Sequence, residues 1–320
     1  MFKKSLLAIA MFPVAAMADA NITVPMELEY NNLYSAESNA DEKANLFATI
    51  EPEITVGITE QLSFFGQIAL EEINESENSD DRYLEDHGFY INEFKLQYDT
   101  EQFGGFIGKT GINFGTGFDA PGIFTSGFAG DYEITEQIAV GGYFNTGSIS
   151  ISAGVFHGDS NLDKRYIESV ERSGSPDNKF ASYAIAVDSE FKALTIHAAY
   201  ADFDNGDNTD NTDAWVFGLG HSSEIGATEL TPMLEIATDK DDINYLTAAI
   251  EVASGPISGV VGFSSTDDAD DKTRQLEIAG GYALQNGLEL GMAFAQKRSG
   301  NGDKTNIIGL IAAYELSYDL

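Results

Sequence analysis

From Ile22 onward, apolar and polar residues trade places at every second position. Ile22, Val24, Met26, Leu28 and Tyr30 alternate with Thr23, Glu27, Glu29 and Asn31. Leu46, Ala48, Ile50, Ile54, Val56 and Ile58 alternate with Thr49, Glu51, Glu53 and Thr55, and Leu62, Phe64, Ile68 and Leu70 with Ser63, Gln67 and Glu71. Segments 148–156, 193–203, 228–236, 245–253 and 288–297 repeat the scheme. A period of two marks strands with two unlike faces. Past the first 20 residues, no segment sustains a helical apolar stripe or an apolar run of roughly 20 residues, the length a membrane-spanning helix needs.

About sixteen such runs can be counted, each roughly ten residues long, the length and even number expected of a transmembrane barrel. The spacers between them sort into two kinds. Short ones fall at 59–61, 100–102, 146–147, 189–190, 223–226, 254–256 and 285–287; long ones at 34–44, 75–86, 113–135, 158–178, 204–212, 238–242, 266–272 and 298–304. Long and short alternate strictly. That regularity predicts an all-β fold: a transmembrane antiparallel up-and-down β-barrel with short periplasmic turns and long outer loops. A soluble sandwich or a β-solenoid also alternates, but a solenoid needs a fixed repeat, and none is present. Pro25, Pro52 and Pro232 interrupt predicted strands and are expected at bulges, because a closed barrel has no edge to hide a missing N–H.

The N-terminus sets the compartment. Lys3 and Lys4 precede an apolar run from Leu6 to Met17, and Ala18 or Ala20 offers a small-residue cleavage site. Residues 1–20 therefore read as a signal peptide and 21–320 as one barrel domain. The formal charge is −35; loss of Lys3, Lys4 and Asp19 with the leader removes two positive charges and one negative, leaving −36. This excludes a nucleic-acid partner, whose phosphates need Lys and Arg. The 11% aromatic content sets the chain apart from acidic disordered sequences.

The last residues, "IAAYELSYDL" (311–320), end inside a predicted strand, with Tyr314, Leu316, Tyr318 and Leu320 on one face. The segment "GGFIGKTGINFGTGFDAPG" (104–122) is followed by "DYEITEQIAVGGYF" (131–144) and "GVFHGDSN" (154–161). Together with the strand pattern, these stretches resemble the Gram-negative outer-membrane porins, with a local likeness to siderophore-type porins. The resemblance implies residence in the bacterial outer membrane among its lipid and lipopolysaccharide, a channel for small solutes, and a homotrimer. It implies that the barrel-assembly machinery reads Tyr314, Leu316, Tyr318 and Leu320, although Phe is the usual final residue. It also implies a third outer loop folded into the lumen. The spacer at 113–135 fits such a loop: its glycines permit close approach to a wall, and Phe114, Phe118, Ile123, Phe124 and Phe128 are ill placed in open water. A flat extracellular loop touching a neighbour or lipopolysaccharide is the alternative.

If the apolar set faces lipid, the other set faces the lumen. Parity then places Glu27, Glu29, Glu51, Glu53, Glu71, Glu93, Glu229, Glu235, Glu251, Glu277, Glu289 and Glu315 inward, with Lys95, Lys109 and Lys297 the only bases. Asp119, Asp131 and Glu133 on the third loop would face Lys95 and Lys109 across an eyelet. A ring of carboxylates predicts a cation-preferring pore. Two readings stand beside passive diffusion: ligand-selective uptake, for example of an iron–siderophore complex, and a surface β-rich adhesin.

Other motifs carry little chemistry. "GTGFDA" (115–120) has the spacing of a dinucleotide fingerprint but runs into Pro121, with no helix to follow. His87, His157, His197 and His221 are too scattered to predict a metal site, and no nucleophile motif is present, so neither a cofactor nor enzyme activity is expected. The acidic stretches 202–210 and 267–272 read as solvated loop tips, with Ca²⁺ or Mg²⁺ bridging to lipopolysaccharide phosphates as the functional alternative.

Overall fold

The computed structural model describes residues 19–35, 42–73, 81–157, 180–204, 211–239, 241–268 and 272–319. The signal segment up to residue 18, Leu320 and most of the two acidic stretches lie outside the described residues. The strands are β1 (Ala20–Ser35), β2 (Lys43–Ile50), β3 (Glu53–Gly57), β4 (Leu62–Glu72), β5 (Arg82–Tyr83), β6 (His87–Asp99), β7 (Phe103–Ile112), β8 (Ile134–Thr146), β9 (Ile149–Phe156), β10 (Ser182–Phe191), β11 (Leu194–Phe203), β12 (Thr212–His221), β13 (Ser223–Ile225), β14 (Thr228–Thr238), β15 (Asn244–Ser254), β16 (Ile257–Asp267), β17 (Lys272–Ala283), β18 (Glu289–Arg298) and β19 (Lys304–Asp319). β2 and β3 are two halves of one broken strand, as are β12 and β13, and β5 is a two-residue parallel addition to β2. Sixteen antiparallel strands thus form one closed barrel. Its seam is the pairing of β1 with β19, which runs in register from Asn21↔Asp319 to Leu33↔Ile307.

The three prolines sit where the ladder is interrupted. β1 pairs with β2 down to Met26↔Ile50 and with β3 from Thr23↔Glu53, so Pro25 and Pro52 share a single gap. The Pro25 carbonyl accepts the Glu51 N–H at 3.0 Å, and the Pro52 carbonyl accepts the Ile68 N–H at 3.1 Å. Pro232 lies opposite the break between β12, whose pairing ends at Gly220↔Met233, and β13, whose pairing begins at Ser223↔Leu230. Each proline therefore falls where the ladder is already interrupted.

Alternation sorts the two faces. On β17, Leu276, Ile278 and Tyr282 are exposed, whereas Thr273, Gln275 and Glu277 are buried. Large apolar side chains exposed in this way on most strands make the outer band. Aromatics gather at both of its ends: Tyr34, Phe89, Tyr183 and Trp215 on the long-loop side, and Tyr98, Phe103, Phe144, Phe191 and Tyr282 on the turn side. Tyr183 and Phe191 are eight residues apart on β10, roughly 26 Å along a tilted strand, on the scale of an outer-membrane apolar band with its two aromatic girdles. Tyr314, Leu316 and Tyr318 share the outward face of β19, where they pair with Met26, Val24 and Ile22.

Replacing Ile278 by Arg in the middle of this band should destabilise the folded barrel by about 2–4 kcal/mol. Replacing the inward-facing neighbour Ala279 by Ser should change it by less than about 1 kcal/mol. Reversible urea titration of folding into lipid vesicles measures both; equal effects would contradict the assignment of faces.

Candidate functional site

Between β7 and β8, residues 113–133 turn into the barrel and run along its inner wall, with single 3-10 turns at Gly117–Asp119 and Ala129–Asp131. Two wall carboxylates hold the segment. Glu235 on β14 alternates with the exposed Leu234 and Ile236 and so points inward, and it is 1% exposed. It accepts the backbone N–H and hydroxyl of Thr116 at 2.8 and 2.6 Å, the Gly117 N–H at 2.8 Å, and the Tyr132 hydroxyl. Glu277 on β17, also 1% exposed, accepts the N–H groups of Ile123 and Phe124 at 2.7 and 3.0 Å and the Thr125 hydroxyl at 2.6 Å. A carboxylate can be buried this completely only when such donors replace water.

A third fastening lies at the start of the segment. The His197 ring on β11 has Nδ1 2.6 Å from Asp188 and Nε2 2.8 Å from the Phe114 carbonyl. Both neighbours are acceptors, so the doubly protonated ring satisfies both. Asn113 donates to the other Asp188 oxygen at 2.8 Å and to Ser152 at 3.1 Å.

The wall is shaped to receive the segment. Parity alone predicts a polar interior, yet Ala184, Ala186, Ala199, Ala201, Ala214 and Ala237 face inward and are buried under Phe114 and Tyr132. Small side chains leave room for the aromatic rings. A Cβ on Gly262 would lie 1.7 Å from the Thr125 hydroxyl, and one on Gly309 2.5 Å from the Phe124 ring. Gly122 takes φ +113° where the chain bends beside Glu277, a conformation other residues adopt only with strain.

The two lysines are held by wall glutamates. Lys95 sits 2.7 Å from Glu93 and 3.1 Å from the Thr110 hydroxyl, and that hydroxyl and the Gly111 N–H also donate to Glu93. Lys109 is 7% exposed and lies 2.7 Å from Glu136, with the Ile91 carbonyl and the Tyr90 ring completing its surroundings. Gly108 takes φ +152° just before Lys109, and the register of β7 against β8 slips between Thr110 and Ile112 just after it. Lys297 reaches the inward segment itself, its ammonium 5.4 Å from the Phe128 ring centre.

The remaining acids divide by exposure. Asp119 and Asp131 are exposed on the segment. Glu133 is partly buried and accepts the Phe118 N–H at 3.1 Å; burial, helped by Asp119 and Glu235, pushes its carboxyl up to about 7. On the opposite arc, Glu53 accepts from Gln67 at 2.9 Å, Glu71 from the Tyr90 hydroxyl, and Glu51 faces Asn92 at 3.5 Å. Glu27, Glu51, Glu289 and Glu315 line one recess of about 300 Å³. A larger cavity of about 1030 Å³ lies beside the segment, lined by Asp119, Asp188, Glu190, His197, Thr195 and Ser150 among others.

Sequence parity placed Glu235 and Glu277 inward but read them as lining charge. Their role as anchors, and those of Thr116, Thr125, Tyr132, Asp188 and His197, come only from the packed segment. The available signal was a glycine at an inward strand position, as at 262, where the missing side chain marks a close approach.

Glu277→Ala would leave three donors of the segment without an acceptor, at about 1–3 kcal/mol each, and should free it from the wall. Gly262→Val should act in the same direction by steric exclusion. Both variants should show larger and noisier single-channel conductance than the parent, with the heat-resistant barrel band intact in detergent gels. Unchanged conductance in both would show that the segment does not limit flow.

A model described as Gram-negative porin matches residues 73–320. No curated protein sequence matches the chain. Among solved structures, the outer membrane channel DcaP of Acinetobacter baumannii superposes with a TM-score of 0.62 at 13% identity, over 96% of this chain and 100% of that one. OprB of Pseudomonas putida gives 0.69 at 12%, over 93% and 94%. OccK1 (OpdK) of Pseudomonas aeruginosa gives 0.58 at 10%, over 94% and 100%. Identities this low speak for a shared fold alone. The family model spans more than half the sequence, and the chain belongs to the Gram-negative porin family.

Proposed function

We propose that the chain is a cation-preferring diffusion channel of the outer membrane, with residues 113–133 as its constriction. The observation that carries the reading is the inequality of the two interior arcs. One arc is covered by the pinned segment. The other, built from β1 to β4, presents Glu27, Glu29, Glu51, Glu53 and Glu71 to the lumen, and Glu289 and Glu315 adjoin it at the turn ends of β18 and β19. Lys95 and Lys109, the bases that could offset them, are already paired with Glu93 and Glu136. Surplus carboxylates in a narrow aqueous path raise local cation concentration and repel anions within about 8 Å at physiological salt.

Ligand-selective uptake is a second reading, favoured by the 1030 Å³ cavity beside the constriction. Its carboxylates and hydroxyls suit a cationic or neutral polyhydroxylated solute better than an anionic chelate. Saturable block of ion current by such a solute separates this reading from passive diffusion.

Two measurements test the main proposal. Under about a tenfold KCl gradient in a planar bilayer, the reversal potential should fall on the cation side; a chloride-side value overturns it. Glu133 adds a pH dependence. Its carboxyl titrates above the ordinary range, so the ionised form is penalised in the folded protein. That penalty is full above about pH 7 and absent below the ordinary carboxyl range near 4.5. Acidification therefore removes a negative charge from the constriction and tightens the segment. Cation selectivity should fall between about pH 8 and about pH 6, and Glu133→Gln should flatten that step while leaving the selectivity at acid pH in place.

A further inference from the structure

Basic side chains are scarce here, with 17 Lys and Arg against 52 Asp and Glu. Lys272, Arg274, Lys297, Arg298 and Lys304 nevertheless all fall on β17 to β19. Four described bases are seen on carboxylates: Arg82 on Glu72 and Asp86, Lys95 on Glu93, Lys109 on Glu136, and Lys272 on Asp267. Arg274, Arg298 and Lys304 are exposed and have no carboxylate partner among the described residues. Of the described acids close by in sequence, Asp267 is paired with Lys272, and Asp303 accepts from the Asn301 amide.

These three cations stand abreast. Arg274 is the direct cross-strand partner of Arg298, and Arg298 of Lys304. At the usual strand spacing the row spans about 10 Å. Like charges directly opposite on a sheet repel, so the row is unfavourable unless an anion joins it. Alternation with the exposed Ile278, Phe294 and Ile308 puts all three on the outer surface of the barrel, at the long-loop end. Below them the next positions are Leu276, Gln296 and Asn306, with Gln296 donating to Asn306 at 2.9 Å, and then Ile278, Phe294 and Ile308. Polarity falls from cation through amide to hydrocarbon within four residues of strand.

We propose that this row seats a phosphate-bearing lipid headgroup of the outer leaflet, bound directly by the two guanidinium groups and the ammonium. Guanidinium forks match phosphate oxygens in pairs, and acyl chains of the same lipid can lie on Ile278, Phe294 and Ile308. A soluble anion has no such complement, and the strongly acidic body of the protein repels it. The inference rests on placement of the barrel in the outer membrane and is independent of its ion selectivity.

The test compares the mature barrel, folded in detergent with EDTA present throughout, with the triple variant Arg274→Gln, Arg298→Gln, Lys304→Gln. Diphosphoryl lipid A is the probe, with phosphatidylcholine and inorganic phosphate as controls. The parent should unfold at a higher temperature with lipid A, and should retain about tenfold more lipid phosphorus through chromatography than the variant. Without lipid the variant should be at least as heat-stable as the parent, because the repulsion is gone. Arg298→Gln alone, which removes the middle cation, should give intermediate retention and carries the test should the triple variant not fold. Equal retention by parent and variants overturns the proposal. So does loss of the parent's response in EDTA, which would assign lipid binding to divalent ions on the acidic loops. An equal response to inorganic phosphate overturns it as well, by showing that no lipid is required. Ion conductance should be the same in parent and variants, so a failure of the channel reading is scored separately.

Discussion

Hydrocarbon offers no partner to a backbone N–H or C=O, and that constraint governs this structure. Each strand must be paired on both sides, so the sheet can only end by meeting itself. The meeting of β1 and β19 is therefore the condition for every other strand to lie in a bilayer. The three prolines show how strictly it is met. Pro25 and Pro52 fall in the same gap, so two missing donors cost one interruption, and Pro232 faces a break already present in its neighbour. At the first gap the Pro25 and Pro52 carbonyls still accept, from the Glu51 and Ile68 N–H groups.

Closure creates a second, enclosed surface, and there the problem is reversed. The interior is wet, so polar side chains are cheap, but a loop laid inside must be held against its own entropy. Glu235 and Glu277 meet that need because a buried carboxylate and an unpaired loop N–H are each costly alone and favourable together. Seven donors from residues 116 to 132 converge on the two groups. The alanine wall beneath Phe114 and Tyr132 adds apolar contact on the same side. The segment therefore lies against β11 to β19, and the acid-rich arc stays open.

Much of this was written in the period of the chain. Alternation and the strict succession of long and short spacers gave the strand number, the two faces and the closing strand, because strand parity is local and survives any tertiary context. What parity could not show is partnership. Lys95 and Lys109 were expected to look across the lumen at Asp119, Asp131 and Glu133; their ammonium groups lie instead on Glu93, two residues away on the same strand, and on Glu136 of the next strand. The anchors were hidden for the same reason. Nothing near Glu235 or Glu277 in sequence distinguishes them from Glu229 or Glu251, since their donors arrive from more than a hundred residues away. Register slips between Gln67 and Ile68 and between Thr110 and Ile112 shift parity locally, which no two-residue period can foresee.

Charge is sorted by environment in a way the net value conceals. A formal −35 describes a chain that repels anions on average, yet its cations are not spread to soften that average. Inside the barrel, Lys95 and Lys109 are spent on wall acids, which leaves the open arc negative. Outside, Arg274, Arg298 and Lys304 stand adjacent at the boundary of the apolar band, with no carboxylate partner among the described residues. Were solubility the governing need, the scarce bases would be placed among the many carboxylates. Their segregation instead follows the two media the barrel separates: an aqueous interior lined by carboxylates, and a membrane surface whose charged lipids carry phosphate.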